Sequence, residues 1–315
     1  MTSATPLPRG QGAAHPLLRH FVCARCRLPL TADRDVLLCG TCGVRHPIVR
    51  GVPRFVPDDA YVGSFSFEWN THKRTQLDSE RGDAMSMDTL VQKTGLDRAQ
   101  LEGKLVLDGG TGTGRFAEVM TRLGARVIGV DLSLAVEAAQ ENLGGRDDVL
   151  FAQADIGKLP FAPETFDAIV SIGVLHHTPD TRKHFEALVP LLKRGGTICI
   201  WVYPHEGHYL HRNHWIPFTN KIPSRMFYEW CRWLVPLMHR RKGSRLQGLV
   251  SRLFEYSQQS YGLDNDVLDT FDGYSPRYHG THTPDEVAGW FRDAGLVDVR
   301  EPEGAVHTSM RGRKP

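Results

Sequence analysis

The chain has 315 residues, 41% of them hydrophobic and 23% charged, and its 38 basic and 36 acidic side chains leave a formal charge of +2. That length accommodates one main domain with appendages, and that composition excludes a disordered chain and carries no strong nucleic-acid footprint in its net charge. No apolar run reaches the roughly 18 residues of a membrane span. The opening MTSATPLPRGQGAAHPLLRH lacks the apolar core of a signal peptide, which points to a cytoplasmic chain.

Residues 1–20, rich in Pro, Gly, Ala and Thr without periodicity, read as a flexible arm. Residues 21–56 hold Cys23, Cys26, Cys39 and Cys42, two Cys-x-x-Cys pairs with twelve residues between them and Gly40 and Gly43 at the second knuckle. In a cytosolic chain such pairs read as metal ligands before disulfides. Four thiolates suit tetrahedral zinc and close its coordination shell, so the expectation is a structural zinc ribbon. Cys199 and Cys231 sit in apolar runs and read as small buried hydrophobes. Residues 57–101 read as a linker with N-terminal flap helices.

From about 102 to 203 the sequence alternates β-rich runs (KLVLDG, RVIGVD, VLFAQAD, FDAIVSIG, TICIWVY) with helical patterns (RFAEVMTRLG, LAVEAAQENLG, DTRKHFEALVPLLKRGG). This alternation predicts a doubly wound, mostly parallel α/β sheet with helices on both faces and ligands at the carboxyl ends of its strands. Residues 204–280 break the rhythm with crowded aromatics, histidines and basic residues, and read as a helical insertion over the ligand edge; Phe227, Trp230, Cys231, Leu234 and Leu237 carry helical spacing there. Regularity returns at THTPDEVAGWFRDAG, with Thr283 as cap, Pro284 at the first helical position, Glu286 completing a capping box and Gly295 as terminator. LVDVREPEG and AVHTSMRG read as two last strands, giving seven in a main domain over 102–315.

The loop after the first of these strands, LVLDGGTGTG, holds Gly110, Gly112 and Gly114, and the glycines alone leave dinucleotide and other nucleotide readings open. Asp131 ends the second strand, where a carboxylate can accept both ribose hydroxyls of NAD or of S-adenosylmethionine. Asp108, just before the glycines, would repel a pyrophosphate and suits a ligand with positive charge, such as an ammonium and a sulfonium. Asp155 closes the third strand where it can accept adenine amino hydrogens, with Ile156 and Leu132 flanking the ring. VLHH, ending in His176 and His177, follows the fourth.

As a set, LDGGTGTG, Asp131, DIGKLPF and FDAIVSIGVLHH resemble the class I S-adenosylmethionine-dependent methyltransferases over residues 102–203. Gly109 and Thr111 stand where relatives often carry Val, Ile or Cys. The resemblance implies a Rossmann-like methyltransferase fold with Asp108 and Gly110 at the methionine end, Asp131 at the ribose, Asp155 and Ile156 at the adenine, and Ile172 in the loop over the cofactor. CARCRLPL with LLCGTCGVRHPIVRGVPRFVP resembles the small zinc-ribbon proteins that activate tRNA and rRNA methyltransferases, and FSFEW (Phe65–Trp69) resembles the segment that follows the ribbon in bacterial fusions.

Methyl transfer is an in-line displacement, and positioning alone can supply about 7–11 kcal/mol. His177 is the first candidate for a base and His282 the second. His205, His208, His211 and His214, spaced by three, fan around a helix and read as pocket lining, as does the polar loop DGYSPRYHGTHT. Trp69, Arg74 and Gln76 read as a flap with Arg74 near the cofactor carboxylate, or as a linker. The reading is an enzyme that methylates a small-molecule acceptor, a natural product or sugar derivative, on oxygen, with nitrogen or carbon as the alternative acceptor atoms. The alternatives are an RNA-modifying enzyme using Arg25, Arg27, Arg45 and HRRKGSR, a non-catalytic cofactor-binding subunit, and a dehydrogenase.

Overall fold

The computed structural model describes residues 14–56, 73–257, 262–305 and 308–315; residues 1–13 of the expected arm and the Phe65–Trp69 segment lie outside the described residues. The N-terminal ribbon is an antiparallel four-stranded sheet in the order β1 (Thr31–Asp33), β2 (Val36–Leu38), β3 (Arg45–Val49), β4 (Val52–Pro53). Three short helices follow: α1 (Asp78–Arg81), α2 (Met85–Thr94) and α3 (Arg98–Leu101).

The main sheet alternates as its sequence predicts: β5 (Leu105–Gly109), α4 (Arg115–Arg122), β6 (Arg126–Asp131), α5 (Ala135–Leu143), β7 (Val149–Gln153), β8 (Phe166–Ile172), α6 (Thr181–Leu188) and β9 (Leu192–Trp201). After the insertion come α11 (Pro284–Asp293), β10 (Val297–Arg300) and β11 (Ser309–Arg313), the insertion itself holding α7 (Gly207–Thr219), α8 (Ser224–Arg240), α9 (Arg245–Leu253) and α10 (Leu263–Tyr274). The seven strands run β10-β11-β9-β8-β5-β6-β7; β5 to β9 pair parallel, and β11 pairs antiparallel with both its neighbours.

Strands β5 to β8 are buried on both sides, as parallel strands between helical layers must be. Leu105, Leu107, Ile128 and Val130 enter one core with Phe185, Phe291 and Trp290, while Val106 and Val127 enter the other with Leu90, Met120 and Leu143. The period of two along each strand makes that division.

The ribbon is built onto this domain. Phe21, Leu30 and Leu37 share the first of the two cores, and so does Leu17, so residues 14–20 of the expected flexible arm are instead a docked helical turn (Pro16–His20). Arg54 forms a parallel bridge with Gln153, and the Phe55 N–H donates to the Gln153 carbonyl at 2.9 Å, so β4 runs on into the free edge of β7 and covers it. Arg27 donates to the carbonyls of Leu159 and Phe161, which commits it to fastening the ribbon instead of to an outward basic face.

Two local expectations are corrected in detail. Thr283 Oγ1 accepts the Glu286 N–H at 3.2 Å, but the reciprocal half of the capping box is absent because Glu286 Oε1 lies 3.0 Å from His282 Nδ1. In α8, Phe227, Cys231 and Leu234 enter the insertion's own core with Phe271 and Tyr274, whereas Trp230 lies at its rim, half-exposed and packed against Phe227 and Phe254. Cys199 and Cys231 are fully buried, and burial pushes both thiols up to about 12.

Candidate active site

A cavity of about 440 Å³ opens at the carboxyl ends of the parallel strands, between the loop after β5, helix α2 and the insertion's α7 and α10. Gly110, Gly112, Asp131, Leu132, Asp155, Ile156, Ile172 and His177 line it. Gly110 (φ +85°), Gly112 (φ +53°) and Gly114 (φ +88°) all take left-handed backbone that a side chain strains, so the turn needs these glycines. The Gly110 and Thr111 N–H groups both donate to the Val130 carbonyl. Asp131 then fixes the loop from the tip of β6: its carboxylate accepts the Gly112 N–H at 3.0 Å, the Ser133 N–H at 2.8 Å and the Ser133 hydroxyl at 2.7 Å. Burial raises Asp131 above the usual carboxylate range, and those donors oppose the rise.

Asp108 and Gly114 are placed differently from the rest of the expected set, since neither lines the cavity. Asp108 lies beneath the loop, buried, accepting the Thr111 hydroxyl at 2.7 Å; burial first, and then the Asp131 charge, raises it to about 7. A Cβ on Gly114 would sit 3.0 Å from Leu143 and 3.4 Å from Phe151, so this glycine permits close packing of α4's start against α5 and β7. Asp155 caps the short turn Ile156–Lys158, accepting the Gly157 N–H at 2.8 Å, and stands 3.9 Å from His184 Nε2.

Cations stand where the sequence reading did not put them. Arg74 is exposed and pairs with Glu80 at 3.2 Å, whereas Arg115 and Lys93 line the cavity. Arg115 donates to Ser86 Oγ at 2.9 Å and Thr89 Oγ1 at 3.2 Å, which holds its guanidinium in place. Lys93 Nζ rests 3.9 Å from the Trp201 ring centroid, a cation–π contact, and burial lowers it to about 8.

The two adjacent histidines differ. His176 is fully buried and stacks on Tyr203 with ring centroids 3.6 Å apart; its Nδ1 accepts the Tyr203 N–H at 3.2 Å. Burial holds it neutral, far below its ordinary range, so it is scaffold. His177 Nδ1 lies 2.9 Å from the Tyr278 carbonyl, which can only accept, so Nδ1 carries the proton and the lone pair is on Nε2. Burial lowers His177 to about 4, so the ring is neutral at pH 7.

His282 lies outside the cavity lining. Its nitrogens sit 3.0 Å from Glu286 Oε1 and 3.0 Å from Thr181 Oγ1, tying the start of α11 to α6; a ring engaged on both sides has no nitrogen left for an acceptor's proton. Of the run, His205, His211 and His214 do not line the cavity either. His205 bonds Thr281, whereas Tyr209 and Arg212, on the helix of His211 and His214, are in the lining.

The far half of the cavity is built by α7 and α10. Asp269 and Asp272, three residues apart, share one face of α10 with Asn265. Burial raises both aspartates to about 6; for Asp272 the Arg212 charge opposes it. Asp272 Oδ1 and Arg212 Nε are buried polar atoms without a hydrogen-bond partner, and Arg212 is 7% exposed. Unsatisfied polar atoms on a cavity wall are an incomplete binding surface. Of these residues the sequence reading singled out only Asp272. The signal for the others was the polar i, i+4, i+7 face of DNDVLDTFD (Asn265, Asp269, Asp272) and the Tyr209–Arg212 pair interleaved with the more conspicuous histidines.

At the ribbon, the four Sγ atoms lie within 4.8 Å of one another, with Cys23–Cys42 at 3.5 Å, Cys26–Cys39 at 3.3 Å and Cys26–Cys42 at 3.7 Å. Ligands about 2.3 Å from a tetrahedral ion stand about 3.8 Å apart, so the set fits one zinc. The Cys42 and then Thr41 backbone N–H groups lower Cys39 to about 6. Among the described residues no helix is long and apolar enough to cross a membrane.

Comparison with known proteins matches residues 107–200 to the family described as methyltransferase domain. The chain is 38% identical over 106 residues to the demethylmenaquinone methyltransferase of Thermobifida fusca, covering 33% of this chain and 45% of that protein. It is 35% identical over 109 residues to the ubiquinone biosynthesis O-methyltransferase of Paracidovorax citrulli (33% and 44%). It is also 30% identical over 136 residues to the human protein named probable tRNA methyltransferase 9B (41% and 29%). The chain thus spans less than half the length of these relatives. The matched segment, β5 to β9, carries the glycine loop, Asp131 and Asp155, and over it the chain matches a methyltransferase domain.

Proposed function

We propose that this protein transfers a methyl group from S-adenosylmethionine to an oxygen of a small-molecule acceptor, a natural product or sugar derivative. One observation carries the reading: a single cavity joins the glycine loop, Asp131 and Asp155 on one side to Asp269, Asp272, Arg212 and Tyr209 on the other. A pocket of that size with a few convergent polar groups suits a small ligand.

The residues fit the cofactor in their donor set. Asp131 would take a ribose hydroxyl with its remaining acceptor site, Asp155 the adenine amino group between Ile156 and Leu132, and Arg115 with Lys93 the methionine carboxylate. Asp108 would act through Thr111, as a carboxylate beneath the loop. When bound, the sulfonium supplies an electrophilic methyl group. The chain's work is then to align the acceptor and exclude water. Asp269, Asp272 and Arg212 hold polar groups of the acceptor, and Tyr203, Tyr209 and Trp201 wall it. His177, neutral with its lone pair on Nε2, would take the hydroxyl proton.

In this reading residues 21–56 are a structural zinc ribbon on Cys23, Cys26, Cys39 and Cys42, which closes the β7 edge of the domain. The test is incubation with methyl-labelled S-adenosylmethionine and separate small-metabolite and RNA extracts. Label in the small-molecule pool supports the reading; label in RNA alone replaces the acceptor class, and label in neither replaces the enzyme by a cofactor-binding subunit.

A further inference from the structure

The insertion presents an apolar face that its own core leaves uncovered. Helix α8 buries Phe227, Cys231, Leu234 and Val235. Met226, Trp230 and Trp233, at i, i+4 and i+7, form a stripe beside that buried face, with Trp230 at its border, 40% exposed and in edge contact with Phe254 at 4.8 Å. Phe218 and Ile222 extend the exposed apolar surface through the end of α7 and the turn into α8. Phe218 is 68% exposed, Met226 65% and Trp233 64%. Isolated exposed apolar residues are ordinary, but large aromatics grouped on one short segment mark a contact surface.

Charge identifies what that surface meets. Between residues 221 and 245 seven basic side chains stand against one acid, Glu229, in a chain whose formal charge is only +2. Arg225 and Arg232 flank the stripe along α8, and Arg240, Arg241 and Lys242 close its end; all are exposed. Apolar aromatics at the centre with cations at the rim match a bilayer surface, where rings enter the headgroup boundary and Lys or Arg meet anionic lipid.

We propose that the α7–α8 corner of the insertion is a docking surface for an anionic membrane. α7 carries Phe218 at its end and lines the cavity with Tyr209 and Arg212 two turns earlier, so docking brings the acceptor half of the cavity close to the lipid interface.

The test uses the full-length chain with vesicles of phosphatidylcholine alone and of phosphatidylcholine with phosphatidylglycerol. The expected result is co-sedimentation with the anionic vesicles only, weakened by salt, with a blue shift of tryptophan emission. Replacing the exposed residues together (Phe218→Ser, Met226→Ser, Trp233→Ser) lowers that binding by about tenfold or more while circular dichroism and S-adenosylhomocysteine binding stay unchanged. Arg240→Glu with Arg241→Glu lowers it as well. The inference is overturned if the chain leaves both vesicles unbound, if the triple variant binds like the parent, or if the parent is a dimer in solution that the triple variant splits, since the face would then belong to a second copy.

Discussion

Asp131 Oδ2 accepts the Gly112 N–H at 3.0 Å, and through that bond the tip of β6 holds the glycine turn that follows β5. The same carboxylate takes both donors of Ser133, so three of its roughly four acceptor sites are filled by the protein itself. Removing it costs twice, once in the ligand and once in the loop.

Asp131→Ala therefore abolishes cofactor binding and loosens the apo fold. Buried donors left unmade cost about 1–3 kcal/mol each. Calorimetry is expected to show at least a hundredfold weaker S-adenosylhomocysteine binding, on the order of 3 kcal/mol or more, together with a lower Tm. Retention of parental affinity would remove Asp131 from the cofactor site.

His177→Gln is expected to spare cofactor binding and slow transfer by about a hundredfold or more, the range in which a positioned base works. Because burial lowers His177 to about 4, its protonation makes no contribution to the rate profile between pH 6 and 8. An unchanged single-turnover rate in the variant would reduce the ring to a wall of the pocket.

Asp269 and Asp272 set a pH dependence. Both are raised to about 6, so the protonated forms prevail below that value and the hydrogen-bond-accepting carboxylates above it. Acceptor turnover should climb as pH rises from 5 to 7, and Asp272→Asn should flatten the climb. For the empty chain the sign is opposite. A carboxyl raised in the folded state stabilises below the ordinary carboxylate range and loses that contribution as pH rises through about 6. Asp272→Asn should thus gain stability over the parent as pH increases from 5 to 7, by about 1–2 kcal/mol after allowance for its partial exposure. Buried neutral His176 and His177 act in the other direction and are common to both chains.

Metal removal should be felt at the sheet edge. Without zinc the ribbon lacks its cross-link, and Arg54, which donates to Gln153 at 3.1 Å and to Glu137 at 2.6 Å, loses its anchor, exposing the edge of β7. Cys39→Ser, or a chelator, is expected to release about one zinc per chain, lower Tm by several degrees and promote aggregation. A metal-free preparation with parental Tm would show the four thiols to be packing groups only.

The strands and the cofactor half of the cavity were legible in sequence because both are local: apolar runs end in aspartates, and glycines follow at once. The acceptor half was not, because α7 and α10 meet across the intervening α8 and α9, and nothing in the periodicity of either announces that Arg212 and Asp272 share a wall. His282 misled for the same reason, since Thr181, which bonds it, is 101 residues away. The charge of Asp108 at the tip of β5 and the family resemblance both point to a ligand contact, but the packing puts Thr111 between it and the cavity. Gly129 was passed over inside RVIGVD although a Cβ there would fall 2.7 Å from both Phe151 and Thr111, making it the glycine that lets the loop lie against β6.

The central claim is tested most directly by purified chain, methyl-labelled S-adenosylmethionine and a fractionated small-metabolite extract, with the Asp131→Ala variant in parallel. The account predicts label in a polar small-molecule fraction with the parent and none with the variant. Equal label with both proteins, or preferential binding of NADH over S-adenosylhomocysteine by the parent, would contradict it.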